Sequence, residues 1–198
     1  FLADAAHQLK TPLAGLRMQA DLAQRSGSSE EDLKKSLKQI GRASVQATHT
    51  VNQLLSLARA EGGGAHLPQQ SCDMVLLASE VLQDCLPRAM DKGLDLGYEG
   101  EDSVMVPADK LLLREVLSNL IDNALRYAGK GAVVTLRTTV HDGFCWLDVE
   151  DTGPGVSGEQ LERVFERFWR ASELPGGCGL GLSIVAEIAR RHNGTATA

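Results

Sequence analysis

A chain of 198 residues with 43% apolar composition is long enough for one ordinary domain, or for a small one joined to a simple hairpin, with a genuine core. Twenty Lys and Arg against 26 Asp and Glu give a net charge of −6, which argues against the clustered positive surface that duplex binding needs, so no nucleic-acid partner is expected. Cys72, Cys85, Cys145 and Cys178 lie far apart, with no CxxC pair and no His at ligand spacing, which favours reduced buried thiols over a zinc site or a disulfide framework. No apolar run approaches the roughly 20 residues of a spanning helix, so this segment is expected to be soluble. The chain opens in mid-pattern at Phe1-Leu2 and stops at "HNGTATA", where a helix exit would feed another strand. Further sequence is therefore expected on both sides, with room for a membrane anchor upstream.

In chain order, Leu2, Ala6, Leu9, Leu13, Leu16, Ala20 and Ala23 recur at three- and four-residue steps and predict one helix with an apolar stripe. "RSGSSEED" interrupts it, and Ser28 with Glu31 fits a capping box that starts a second helix. The second stripe, Leu33, Leu37, Ile40, Ser44, Ala47, Val51, Leu54 and Ala58, has the alternating spacing of a seam between nearly parallel helices. The two helices form an antiparallel hairpin, and two hairpins filling one core give a dimeric four-helix bundle. Packing of the same stripes on the rest of the chain is the alternative.

"EGGGAHLP" ends the second helix and reads as a linker. Beyond it the pattern predicts a strand at Gln70–Asp73, a helix from about Val75 to Lys92, and strands at Leu94–Tyr98 and Val104–Val106. The long helical run "DKLLLREVLSNLIDNALRY" follows, then "AVVTLRTTV" and "FCWLDVE" as strands joined through Asp142-Gly143. Ser157 and Gln160 predict a capped helix over "EQLERVFERF", and Leu180–Arg191 the last helix. Without a regular βαβ rhythm, this mixture indicates an α+β fold with helices over one face of a mixed sheet.

Several residues fit this framework poorly unless they do chemistry. Asn119 and Asn123 leave one helix face a turn apart, although Asn competes with the helix for backbone hydrogen bonds. Their amide oxygens suit Mg²⁺ shared with phosphates; two solvated asparagines are the plain alternative. Asp151 stands at a strand end before Gly153-Pro154-Gly155, where a carboxylate can accept from an exocyclic amine, although a bare turn uses the same residues. Gly176, Gly177, Gly179 and Gly181 run into the last helix, an arrangement that offers N–H groups and the positive dipole end to a phosphate, or simply a pliable loop. His7 lies beside the first stripe rather than within it, so its ring is accessible. Pro12, lacking an N–H for the Gln8 carbonyl, predicts a kink one turn later.

The order of these features carries a resemblance that covers nearly the whole chain. "AAHQLKTPL", "NLIDNALRY", "DTGPG", "VFERFWRA" and "GCGLGL" resemble, in sequence, the H, N, G1, F and G2 boxes of the sensor histidine kinases of bacterial two-component systems. The resemblance implies a dimerisation and histidine-phosphotransfer hairpin over 1–60, a linker over 61–67 and a C-terminally truncated catalytic domain over 68–198, an α/β sandwich of the GHKL ATPase type. It implies His7 as phosphoacceptor, flanked by Gln8 where relatives often carry an acid. Thr11 matches the position that orients water for dephosphorylating the regulator. Asn123 is implied as a Mg²⁺ ligand and Asn119 as a neighbour of the ATP phosphates, supported by Arg126 and Tyr127. Asp151 is implied at the adenine amine, Gly153 and Gly155 beside the nucleotide, and Gly177, Gly179, Leu180 and Gly181 over the phosphates. Phe165 and Phe168 would steady the lid, which "RASELPGGCG" makes short. The implied activity is phosphoryl transfer from ATP to His7 and on to an aspartate of a response regulator, in the cytoplasmic part of a sensor of the bacterial inner membrane. A dimeric adaptor with a dead ATP site, or a gyrase- or chaperone-type ATPase, is the alternative; His7 at the start of a heptad helix discriminates against the latter.

Overall fold

The computed structural model describes residues 2–24, 29–61, 70–171 and 177–198. Two helices, α1 (Leu2–Ala23) and α2 (Glu30–Glu61), pack side by side as the N-terminal hairpin. The α/β part follows as β1 (Gln70–Asp73), α3 (Met74–Lys92), β2 (Asp95–Gly100), β3 (Met105–Ala108), α4 (Lys110–Tyr127), β4 (Val133–His141), β5 (Phe144–Asp151), α5 (Gly158–Leu161) and α6 (Gly181–Arg191). The linker predicted over 61–67 lies, past Glu61, outside the described residues, as do Ser28 and the lid segment 172–176.

Ser29 and Asp32 cap the start of α2, next to the predicted Ser28–Glu31 pair, whose Ser28 is outside the described residues. Asp32 N–H donates to Ser29 Oγ at 3.1 Å, while Ser29 N–H reaches back to Asp32 Oδ2 at 3.3 Å, so Ser29 and Asp32 make the reciprocal pair. The shorter carboxylate closes the same ring that the pattern assigned to Glu31, which instead pairs with Lys35 in the first turn of the helix. Helix α1 runs on through Pro12.

In the α/β part, β4 is the centre of a three-stranded sheet of order β2-β4-β5, parallel to β2 and antiparallel to β5. Strands β1 and β3 form a separate antiparallel pair. Alternation along β4 sends Val134, Leu136 and Thr138 inward, all with no exposure, under α3 and α4. Both helices start on aspartate caps: Asp73 accepts from Val75 and Leu76 N–H, and Asp109 from Leu111 and Leu112 N–H. Leu77, Val81, Leu117 and Ile121 close the main core against the sheet. A second cluster joins α4 to α6 through Leu112, Val116, Leu180, Ile184 and Ile188, and it includes Leu57 and Ala60 of α2. The last turns of the hairpin are therefore part of the same hydrophobic packing as the α/β part.

The helix predicted over "EQLERVFERF" shortens to one turn, α5, followed by hydrogen-bonded turns such as Arg163 N–H to Gln160 O and Glu166 N–H to Arg163 O. The segment sets Leu161, Val164, Phe165 and Phe168 among charged residues, but only Val164 of these is buried, so an α-helix would gain little burial. Phe168 instead takes φ +63° and donates its N–H to Gly179 O at 2.8 Å, which pins the segment to the loop before α6.

Candidate functional site

The middle of α4 and the glycine-rich loop before α6 face one another. Asn119 is buried, and its neighbour across the gap is Gly181, where a Cβ would sit 3.1 Å from Asn119 Oδ1. One turn farther along α4, Asn123 is half-buried on the same face, as the spacing predicts. Arg126 and Tyr127 close the end of the helix against Gly177: a Cβ there would lie 2.4 Å from an Arg126 guanidinium nitrogen and 3.6 Å from Tyr127 Oη. Gly179 has φ +73°, and a Cβ on it would collide with the Phe168 backbone and the Trp169 carbonyl at 2.6 Å. Only glycine lets the loop run this close to the aromatic segment. Leu180, fully buried, is the cap residue of α6, and Ser183 Oγ donates to its carbonyl at 2.9 Å.

At the other end of the sheet, Asp151 finishes β5 with its side chain exposed. One carboxylate oxygen accepts from Gly153 N–H at 2.9 Å, and Gly153 lies directly against Ala128, just after α4. Thr152 ties the same turn to β4 by exchanging hydrogen bonds with Val133. Gly155 follows at φ +68°. The fold thus gathers the Asn pair, Arg126, Tyr127, Gly177, Gly179 and Gly181 around α4 and the loop, and brings Asp151 and Gly153 to the C-terminal end of that helix.

His7, Gln8 and Thr11 lie on α1, in the hairpin. His7 is exposed, as expected for a ring beside the stripe, and Thr11 Oγ1 donates back to His7 O at 3.3 Å.

Three residues that matter here escaped the sequence reading. Gln53 of α2 is buried; its Nε2 donates to Asn119 Oδ1 at 3.1 Å, and its Oε1 accepts from the Cys178 thiol at 2.7 Å. Burial pushes the Cys178 thiol up, so it stays protonated and able to donate. His49, one turn before Gln53, is pushed below its ordinary value chiefly by burial, with Arg126 and Arg88 adding to the effect and Asp122 and Glu115 opposing it. The only sequence signal was a polar residue set among apolar ones in α2, which helix periodicity does not separate from solvent-facing positions.

Comparison with known proteins follows the same division. Residues 1–63 match the family model described as the His Kinase A (phospho-acceptor) domain, and residues 108–198 match the one described as histidine kinase-, DNA gyrase B-, and HSP90-like ATPase. Sensor protein QseC of Escherichia coli K12 is 38% identical over 199 residues, covering 97% of this chain and 42% of its own length. The chain spans less than half the length of the relatives it matches. Among solved structures, the Acinetobacter baumannii histidine kinase AdeS is 26% identical with TM-score 0.70, over 93% of this chain and 86% of that one. The histidine kinase ThkA in complex with response regulator protein TrrA shares the fold at 20% identity and TM-score 0.78, over 98% of this chain and 55% of that one. A phosphoacceptor-type hairpin joined to an ATPase-type α/β half, in one chain and in that order, means that the protein belongs to the two-component sensor histidine kinases.

Proposed function

We propose that this chain is the kinase core of a membrane-anchored sensor, and that it transfers the γ-phosphoryl group of ATP to His7 and from there to an aspartate of a response regulator. The observation that carries the reading is the close contact between α4 and the glycine loop, where Asn119, Arg126, Gly177 and Gly181 converge from segments far apart in sequence. In this reading the loop N–H groups ahead of α6 and the Arg126 guanidinium hold the phosphates. Asp151 accepts from the adenine amine, and Gly153 and Gly155 let the base approach the backbone.

Among the described residues no three His, Cys, Asp or Glu side chains gather as a metal cage. The donor set instead fits Mg²⁺ shared between phosphate oxygens, water and the Asn123 amide oxygen. Magnesium, when bound, neutralises phosphate charge. The chain's own residues then position the reaction. An unprotonated ring nitrogen of His7 attacks the γ-phosphorus in line, the bond to the β-bridging oxygen breaks, and ADP leaves. Gln8 can orient the imidazole but has no basic site at neutral pH, so the ring proton passes to water. Thr11, freed from its bond to His7 O, would orient water for dephosphorylating the regulator.

Exposed apolar side chains support a homodimer. Leu13 and Met18 on α1 and Leu37 and Val45 on α2 are all more than half exposed in the single chain, a surface that a second hairpin would cover. No helix among the described residues is long and apolar enough to cross a membrane. The anchor therefore belongs to the longer protein, with this segment on the cytoplasmic side of the inner membrane.

The test is incubation with Mg²⁺ and γ-labelled ATP. Label that is acid-labile and base-stable is expected on the parent and lost in both His7→Gln and Asn123→Ala, with Thr11→Ala also slowing release of phosphate from the regulator. Label persisting in His7→Gln would move the acceptor elsewhere.

A further inference from the structure

Gln53 joins the hairpin by polar contacts to both α4 and the glycine loop. Its two bonds, to Asn119 and to Cys178, reach α4 on one side and the glycine loop on the other. The donors and acceptors fit in only one sense. Glu115 O can only accept, so Asn119 Nδ2 must face it, at 2.8 Å; this leaves Asn119 Oδ1 for Gln53 Nε2, and Gln53 Oε1 for the Cys178 S–H. Asn119 is thus engaged at both ends of its amide, and although one N–H and one lone pair stay unspent, the docked Gln53 helps keep the side chain buried, so a nucleotide gains access to the amide when the end of α2 moves away. The bond to Glu115 lies within α4 and survives any movement of that helix as a body. The bond to Gln53 crosses from α2 and is lost when the hairpin shifts. Apolar packing reinforces the same junction: Leu57 and Ala60, one and two turns farther along α2, are buried against α4 and α6, and Arg191 donates to Arg59 O at 2.8 Å.

We propose that Gln53 is a latch: with the end of α2 docked it occupies Asn119 and holds the glycine loop through Cys178, so that a nucleoside triphosphate and the latch compete for the same amide. The inference rests on the junction of α4 and the glycine loop being the nucleotide site. Because coupling is reciprocal, nucleotide should loosen the docked end of α2 by the same factor by which undocking favours nucleotide.

The test measures the affinity of the whole chain for a fluorescent ATP analogue with Mg²⁺. Gln53→Ala is expected to bind about fivefold more tightly, the factor that one net hydrogen bond sustains. A purely structural Gln53 would give the opposite, because a hole beside Asn119 disorders the site. Hydrogen exchange on the parent keeps the idea testable if the variant folds poorly: saturating non-hydrolysable analogue should speed exchange over residues 53–60. Unchanged or weaker affinity in folded Gln53→Ala, or unchanged or slower exchange over 53–60, overturns the latch. A parent that binds no analogue sinks the nucleotide site and the latch together, whereas a parent that binds normally beside an indifferent variant sinks the latch alone.

Discussion

Helix α2 carries apolar residues along its whole length, and those near its two ends meet different fates. Near its start and middle, Leu37 and Val45 are 63% and 72% exposed, whereas Leu57 and Ala60 near its end are essentially inaccessible. A repeat of apolar positions specifies that a helix face will be covered, but it does not say by what. At one end the cover is the chain's own α4 and α6; at the other the side chains stay exposed, the surface that the proposed homodimer would cover. The switch falls near Gln53, where a polar residue becomes buried because Asn119 and Cys178 satisfy it.

Substitutions that test this contrast should differ in size and in kind. The largest effect on folding is expected at Leu57: Leu57→Ala removes side-chain atoms with no solvent access and should lower stability by about 2–5 kcal/mol in urea unfolding. A loss under about 1 kcal/mol would mean that the end of α2 does not share the second core. At the open end, Leu37→Asp should change the stability of a single chain by no more than about 0.5 kcal/mol, since the side chain is mostly in solvent. The same change should shift sedimentation from dimer to monomer; a dimer that persists would place the interface on another face.

The smallest effect is on pH dependence. His49 is half-buried within the fields of Asp122, Arg126, Arg88 and Glu115, and its folded value lies below the ordinary 6.5, chiefly because of that burial. Well above pH 6.5 the ring is neutral in folded and unfolded chains and contributes nothing to pH dependence. As pH falls below that value the unfolded chain binds the proton first, so stability declines until the folded ring also titrates. The melting temperature should therefore drop as buffer is taken from pH 7.5 towards 5.5 by more in the parent than in His49→Gln. Equal slopes would show that the ring is not held in the docked arrangement.

Much of the α/β half was legible because its signals are local. Gln70–Asp73 is a strand as predicted, α4 ends at Tyr127 where the motif ends, and the paired asparagines emerge on one face because helix geometry requires it. Where two local signals competed, the reading slipped. Ser29–Asp32 satisfies the capping pattern beside Ser28–Glu31, and its reciprocal bonds are the ones found among the described residues. The segment after Ser157 has a capping box, helix-forming residues and apolar positions at helical spacing, yet the bond from the Phe168 N–H to Gly179 O draws its end to the loop before α6 and only Val164 of that apolar set is buried, so it stops after one turn. Gln53, Cys178 and His49 were invisible for a stronger reason: each acts across an interface between segments that the sequence places far apart.

The sequence by itself determined the elements, the apolar stripes, the accessible His7 and the glycine-rich loop that only glycine could close against the aromatic segment, because these follow from short-range sterics and periodicity. Only the tertiary structure decided which part of α2 the chain covers for itself, and which polar groups close the circuit between Gln53, Asn119 and Cys178. Such pairings are set by how packed helices meet, and the satisfaction of a buried amide depends on partners more than sixty residues away.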